Sequence, residues 1–527
     1  MKILKYSLLL ATFLSLGSCN DYLDINDSPN NIGASQMTPV VVLPGAITNN
    51  YRVQARRLNF ITGIFMNSYA GNSYSYGTPL VDEYIPNISD SFYNDIWDDF
   101  YRNSANFQAI IDFPDADGQY TQYKAIAKVM KAYYMGIITD LYGDAPYSEA
   151  FKFQNNMTPK YDKGEDIYKA SIADIENAII AFDSGNGINP SSADVVFQGD
   201  SDKWIMFANT LKLRFLLRMS KVTGDMASYR DQKLATLVGA DFLTVNATVN
   251  PGYSSKTNAQ QNPFTNYFYV TSAATRPQNF GLITASENIA IALNGNPNND
   301  TRSFYQKFNG IIDGRRGRMF SLVNGKVEGV RQGATPGQPG AEAGRTVSKI
   351  HYGIAMGNLT PTSTQQLIDY SSQKSGILIS LAETKFLLAE AAIRYPSMFS
   401  DAVSNFNAGI TASFNYFGAT TSATYITAIQ NIPGLGLLAG SDENKIEAIM
   451  TQKWIALTGV NPEQSYFDFN RTGYPQSPLP TISTKNSRPN RLMYPGSEYA
   501  TNTNNVPAMS SADAFTKNNL TPFWNRN

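Results

Sequence analysis

Six blocks of the chain carry apolar residues three to four positions apart, the spacing of one face of an α-helix, and no other pattern constrains the fold as strongly. In 90–112 the recurring residues are Ile96, Phe100, Phe107 and Ile111. Residues 119–142 place Tyr123, Ile126, Met130, Tyr133, Tyr134, Ile137 and Leu141 on one broad apolar face. The block 164–183 opens with Glu165 and Asp166, acidic residues suited to a first helical turn. Ser201 and Asp202 cap the next block, 201–221, ahead of Trp204, Phe207, Leu211, Phe215 and Met219. Two more blocks, 377–394 and 442–457, come much later in the chain.

Each block is about 16–24 residues long, loops in the first half are short, and Ala occupies close-packing positions. The pattern predicts an all-α protein built from stacked helix pairs of the tetratricopeptide type, although no strict repeat of about 34 residues survives. Between 222 and 376 the texture changes to Gly, Pro, Asn, Ser and Thr, and only 285–294 reads as a clear helix. Within that stretch, 261–280 holds too many aromatics for disorder and reads as an ordered surface facing a ligand or partner. The run 333–345, "GATPGQPGAEAGR", is expected to be the most flexible part.

The amino terminus reads differently. Lys2 and Lys5 precede the apolar run 7–16, which is long enough for a signal peptide and too short to span a bilayer. Leu16, Gly17 and Ser18 then lead into Cys19, the one cysteine of 527 residues. This resembles the lipobox of bacterial lipoproteins, with Cys19 as the acylated (palmitate-bearing) new terminus; an ordinary secretory signal with an incidental cysteine is the alternative. Stable tethering takes more than one acyl chain. Asp21, Asp24 and Asp27 follow, either as a solvated tether or, by resemblance to lipoproteins of Bacteroidetes, as a signal for export to the outer face of the outer membrane. The expected organisation is a signal peptide over 1–18, a lipidated tether over 19–40 and one domain over 41–527. Within that domain the helical scaffold lies mainly in 90–222 and 377–460, the loop-rich insert in about 223–376 and an irregular segment in 461–527.

Composition narrows the partners. Net charge is −1, and charged residues make up 16% of the chain, well below the usual share of about a quarter. With no basic stripe either, nucleic-acid binding is excluded. The 31 Tyr and 29 Phe, set among many Asn, Ser and Thr, suit neutral polar ligands met by ring stacking and amide hydrogen bonds. Two stretches stand out. In 67–84, Tyr69, Tyr74, Tyr76 and Tyr84 follow neither helical nor alternating spacing, which favours exposure. In 262–280, Tyr267, Phe268 and Tyr269 are consecutive and so are not expected to share one core face; Arg276 follows them. These residues form the expected ligand surface, the competing reading being that they pack the irregular region against the helices.

Catalytic chemistry has little to stand on. The single histidine, His351, has no HExxH context and no second ligand, so a zinc site or a Ser-His-Asp triad is unsupported. Phosphate-binding and nucleophile-elbow motifs do not occur. "DADG", 115–118, lacks the closing Glu of a calcium loop and reads as a turn. No cofactor, metal or catalytic residue is expected. A carboxylate pair for glycoside hydrolysis can assemble from distant segments, so a surface hydrolase on a helical scaffold stays as the second reading.

Five phrases together resemble the SusD/RagB family, the nutrient-binding outer-membrane lipoproteins of Bacteroidetes. They are "ITDLYGDAPYSEAF" (138–151), "WIMFANTLKLRFLLRMS" (204–220), "LAETKFLLAEAAIR" (381–394), "EQSYFDFNRTGYP" (463–475) and "RPNRLMYPGSEYATNTNN" (488–505). The resemblance implies an all-α SusD-like fold of four tetratricopeptide-like helix pairs with a loop-rich, ligand-facing part. It also implies a lid on a TonB-dependent, SusC-like barrel transporter, which captures an oligopeptide or oligosaccharide at the cell surface and passes it inward. Arg214, Arg218, Arg471, Arg488 and Arg491 read as scaffold residues that hold carboxylates and carbonyls. The four tryptophans, Trp97, Trp204, Trp454 and Trp524, lie in helical patterns or the tail, so stacking falls to Tyr and Phe, and the lack of a loop Trp tilts the expected ligand towards oligopeptides, with oligosaccharides close behind.

If Cys19 is the anchor, Cys19→Ala abolishes incorporation of a clickable fatty acid and releases the protein from membranes on carbonate washing.

Overall fold

The computed structural model describes residues 37–152 and 155–526. Cys19, the apolar run before it and the aspartates behind it lie outside the described residues. Among the described residues the protein is mostly helical. The scaffold helices are labelled here in chain order. They are α1 (Pro39–Val53), α2 (Asp95–Asp112), α3 (Thr121–Tyr142), α4 (Gly164–Ser184), α5 (Ser201–Arg218), α6 (Leu381–Arg394), α7 (Ala402–Phe417), α8 (Asp442–Leu457) and α9 (Pro462–Thr472). From α1 to α7 each packs on the next in order, and α8 joins α6 to α9. Helices α2 to α6 and α8 fall in the six periodic blocks.

Three scaffold helices escape the periodicity. Helix α1 begins inside the expected tether, because Pro39 takes the first helical position, where its missing N–H costs nothing. Burial of Leu43, Ala46, Ile47 and Tyr51 then carries the helix past Pro44. Helix α7 carries three Asn, two Ser and one Gly, poor formers, and exists through packing. Its Phe406, Ile410, Phe414 and Phe417 are buried, and Gly409 lies so close to the Phe386 ring that a Cβ there would sit 2.8 Å away. Helix α9 occupies the start of the segment expected to be irregular; Pro462 opens it, and Gly473, at φ +84°, closes it.

The block 377–394 splits. Residues Gly376–Ile379 form strand β4, Ser380 caps α6 by accepting from the Glu383 N–H, and the helix follows. Strand β4 pairs antiparallel with β2 (Ala247–Val249), and β1 (Tyr69–Gly71) pairs antiparallel with β3 (Ile283–Ala285). The loop-rich region also holds more helix than expected: Asp225–Ala235 and Thr364–Gln373 accompany Glu287–Asn294.

The core contains a lattice of buried charges. From α5, Arg214 reaches Glu383 of α6 at 2.8 Å, and Arg218 reaches Asp468 of α9 at 2.8 Å and Asp140 of α3 at 3.3 Å. Lys453 of α8 meets Asp468 at 2.8 Å, while Arg471 clasps Glu390 of α6 and lies 3.0 Å from Asp468. Burial works against the Asp468 carboxylate, yet Lys453, Arg218 and Arg471 hold its pKa far below the usual range. The scaffold reading of these arginines is met, and Arg488 and Arg491 bind backbone carbonyls of Phe65, Pro478, Leu492 and Leu520. Breaking one partner out of a buried ionic pair costs about 3–5 kcal/mol, so this lattice tolerates little change.

Glu463 sits beside the lattice without a cation of its own. One oxygen accepts from the Gln54 amide at 2.7 Å, and the other has no partner. Burial pushes its pKa from 4.5 to about 7. A raised carboxyl pKa means that the folded state holds a proton the unfolded state has lost, so stability falls as pH rises from 4.5 to about 7. Glu463→Gln removes that penalty. Its melting temperature should match the parent near pH 5 and exceed it at pH 8, by a gain on the order of 3 kcal/mol at 1.36 kcal/mol per pKa unit.

Candidate functional site

Strand pairing joins the two aromatic stretches. Tyr69 lies opposite Ala285 and Gly71 opposite Ile283, so buried strands join 67–84 to 262–285. Beyond the strands, the Asn72 N–H donates to Leu282 O at 2.7 Å and its side-chain amide to Gly281 O at 3.1 Å. The short helix Gln278–Leu282 packs against both Ser73–Tyr76 and Pro263–Phe268. Lys349 pins the end of this helix and the start of β3 by donating to Gly281 O and Ile283 O, and burial pushes its pKa down to about 8.

Half of the expected aromatic surface is core. Tyr69, Tyr84, Phe268 and Tyr269 are each at most 2% exposed. Tyr69 stands on β1, all of whose residues are buried, and lies against Gly63. The Tyr84 hydroxyl accepts from the Gly71 N–H at 2.6 Å. Phe268 stacks on Phe60 at 6.0 Å and on Phe264 at 4.7 Å. Spacing misleads here because this region is packed on more than one side, so consecutive residues find separate buried neighbours. The exposed members are Tyr76, 41% exposed, and Arg276, whose guanidinium lies over the Tyr269 and Phe280 rings at 4.4 and 4.3 Å. Tyr74 and Tyr267 are half-buried: Tyr74 donates to Glu342 O at 2.7 Å, and Tyr267 meets Phe60 edge-on beside Arg56.

Two cavities flank the segment 330–345. One, of about 340 Å³, lies against 71–85 and is walled by Pro79, Val81, Tyr84, Ile85, Ala334 and Ile482. No charged side chain lines it. Gly71 is needed at its edge, since a Cβ there would sit 2.6 Å from the Pro79 ring. The other cavity, of about 290 Å³, is polar. In its wall Glu287 grips Arg331 through two bonds of 2.7 and 2.9 Å, and Arg345 bridges Glu328 and Glu342 at 2.6 Å each. The intervening segment, expected to be the most flexible, is closed by Arg331 N–H to Gly340 O and Gly337 N–H to Ala341 O, over buried Ala334 and Ala341.

His351 stacks on Tyr352 at 4.0 Å with Nδ1 2.9 Å from Gly317 O, and burial pushes its pKa down. Among the described residues no group of three or more His, Cys, Asp and Glu side chains is placed to hold a metal. At "DADG" the Asp115 carboxylate accepts from the Tyr120 N–H, the geometry of a turn. The arrangement is one of binding surfaces: ring faces, neutral amides and two clefts.

The SusD-like family, described as starch-binding associating with outer membrane, matches residues 29–495. The chain belongs to that family. Solved structures agree in fold. A chitin-binding SusD homologue from Flavobacterium johnsoniae is 22% identical with a TM-score of 0.65, covering 88% of this chain and 94% of its own. A second chitin-binding protein is 23% identical at TM-score 0.67, covering 93% and 100%. A SusD homologue from Bacteroides thetaiotaomicron is 20% identical at TM-score 0.64, covering 93% and 99%. No curated protein matches. Among the described residues of this SusD-like chain no helix is long and apolar enough to cross a membrane.

All four tryptophans of this SusD-like chain are buried, and the indole N–H groups of Trp204, Trp454 and Trp524 are spent on Asp194, Ser68 and Asp140. Stacking therefore rests on Tyr and Phe. Sequence reasoning missed the cavity walls: Pro79 and Val81 lay inside a stretch read for its tyrosines, and Ile482 arrives from a distant loop with no local signal.

The tyrosines separate by measurement. Tyr84→Phe strands the Gly71 N–H and should cost about 1–2 kcal/mol in denaturant unfolding, whereas Tyr76→Ala should change stability by less than about 0.5 kcal/mol.

Proposed function

We propose that this protein captures an oligosaccharide at the cell surface and hands it to a TonB-dependent, SusC-like barrel transporter, working by binding and not by catalysis. The observation that carries the reading is the β1–β3 pairing, which gathers exposed Tyr76 and Arg276 and half-buried Tyr74 beside open clefts in a chain of an outer-membrane starch-binding family. Tyr faces and neutral amides suit sugar rings and hydroxyls. The chitin-binding relatives favour a glycan over an oligopeptide. The lipobox ending at Cys19 supplies the tether, which puts the binding face outside the cell on the outer membrane.

The purified soluble chain, titrated by calorimetry with a panel of oligosaccharides and oligopeptides, should bind a glycan. Tyr76→Ala should weaken it by about 1–3 kcal/mol, the size of a binding hot spot. The lipidated protein should co-purify with a large barrel transporter in detergent. Binding of peptides alone would overturn the ligand, and release of shorter sugars from the bound oligomer would establish the hydrolase instead.

A further inference from the structure

Helix α1 begins apolar on both of its sides. Leu43, Ala46, Ile47 and Tyr51 are buried in the core. On the outward side, Met37 just before the Thr38 cap is 44% exposed, and Val40 and Val41 in the first turn are 42% and 46% exposed. Half-buried Pro44 and exposed Gly45, four residues on, continue the same stripe. No Asp, Glu, Lys or Arg occurs in 37–51; the first charge is Arg52, exposed in the last turn. Surface helices normally turn charges outward, as α4 does with Asp166, Lys169 and Asp183. A turn that is apolar all round belongs in a core or against another apolar phase.

We propose that this outward stripe docks on the lipid surface and sets how the protein stands on its membrane. The proposal rests on the Cys19 anchor reading above. Met37 stands eighteen residues past Cys19, so a chain of about 3.5 Å per residue keeps the stripe within about 65 Å of the acylated sulfur. The stripe is also the first part of the described fold that the tether enters. Its chemistry favours lipid over a protein face, since it offers Met, Val and Pro without the aromatic rings and arginines that anchor protein interfaces. A small contact suffices. The tether makes docking an intramolecular event, at an effective concentration on the order of millimolar for a short linker. The acyl chains hold the protein, and the stripe orients it. Outward polarity returns at exposed Asn49 and Arg52, so only the amino-terminal end of α1 meets the lipid. From there helix runs unbroken through α1, the π-helical turn Gln54–Leu58 and the helix Asn59–Phe65, a path of at most about 40 Å at about 1.5 Å per residue. Strand β1 of the aromatic region follows after Met66, Asn67 and Ser68. One end of this rod thus rests on the bilayer, and the other carries the ligand face clear of it.

The test is tryptophan quenching on the full lipidated chain, reconstituted into phosphatidylcholine vesicles with and without bromine on the lipid acyl chains. The four native tryptophans are buried, so the bilayer reads only an added one. Val41→Trp should melt with the parent, shift its added emission to the blue on vesicles and be quenched by the brominated lipid. Met37→Trp, outside the helix, serves as the second probe should Val41→Trp disturb folding. Leu438→Trp, at a position 54% exposed on the loop before α8, should show neither effect. Adding Val40→Asp to Val41→Trp should abolish the quenching while the acyl chains keep the protein on the vesicle. Absence of quenching at both 37 and 41, equal quenching at 438, or quenching that survives Val40→Asp would each overturn the docking. A blue shift of Val41→Trp without vesicles, growing with protein concentration, would overturn it in favour of a second copy. Loss of barrel co-purification in Val40→Asp, without lipid quenching of Val41→Trp, would overturn it in favour of the transporter. A chain that takes up no fatty acid would overturn the Cys19 anchor itself, a result distinct from a lipidated chain that is not quenched.

Discussion

The buried ionic lattice is the constraint on which the rest depends. Arg214, Arg218, Lys453 and Arg471 face Asp140, Glu383, Glu390 and Asp468 away from water, four cations against four anions. Each ion loses its hydration, so only an arrangement that satisfies all of them at once is affordable. That requirement locks α6, α8 and α9, from the second half of the chain, onto α3 and α5 from the first. Balance also bears on Glu463: Arg214 is already committed to Glu383, and burial pushes the pKa of the extra carboxyl up to about 7.

From the lattice the order passes outward to the binding face. Gln54, in the π-helical turn Gln54–Leu58, bonds both Glu463 and the Tyr133 hydroxyl, and Tyr133 in turn donates to Leu378 O on β4. Asn461 donates to the same carbonyl. The turn also directs Arg56 towards Pro263 O and the Asn266 side chain, so the 263–268 helix is held by the same element that enters the core. Phe268 and Tyr69 then fasten the two aromatic stretches beneath the surface, at 6.3 Å from each other. Most rings in these stretches are structural, and their burial is what leaves a few, Tyr76 above all, rigidly presented.

The segment 330–345 is a shared wall. Its inner side forms part of the apolar cavity through Gly333 and Ala334, and its outer side forms part of the polar cleft through Arg331, Gly340 and Arg345. Tyr74 ties it to the aromatic stretch through the Glu342 carbonyl. A Gly- and Pro-rich run thus becomes a fixed partition, because Arg331 anchors it to Glu287 and Ala334 and Ala341 supply a small core of their own.

The sequence by itself determined the helical class, the positions of α2 to α6 and α8, the scaffold role of the arginines, and the family, because period and composition are local properties that survive without knowledge of neighbours. Local order in the Pro- and Asn-rich helices α1 and α7 was not legible, since packing overrode weak propensity there. Nor could spacing separate Tyr76, which is exposed, from Tyr84, which is core: both sit in the same irregular stretch, and what distinguishes them is a Gly71 N–H thirteen residues away from Tyr84 in sequence. The cavities belong wholly to tertiary structure. Their walls come from 71–85, 287–345 and Ile482, segments that no local pattern in the sequence brings together.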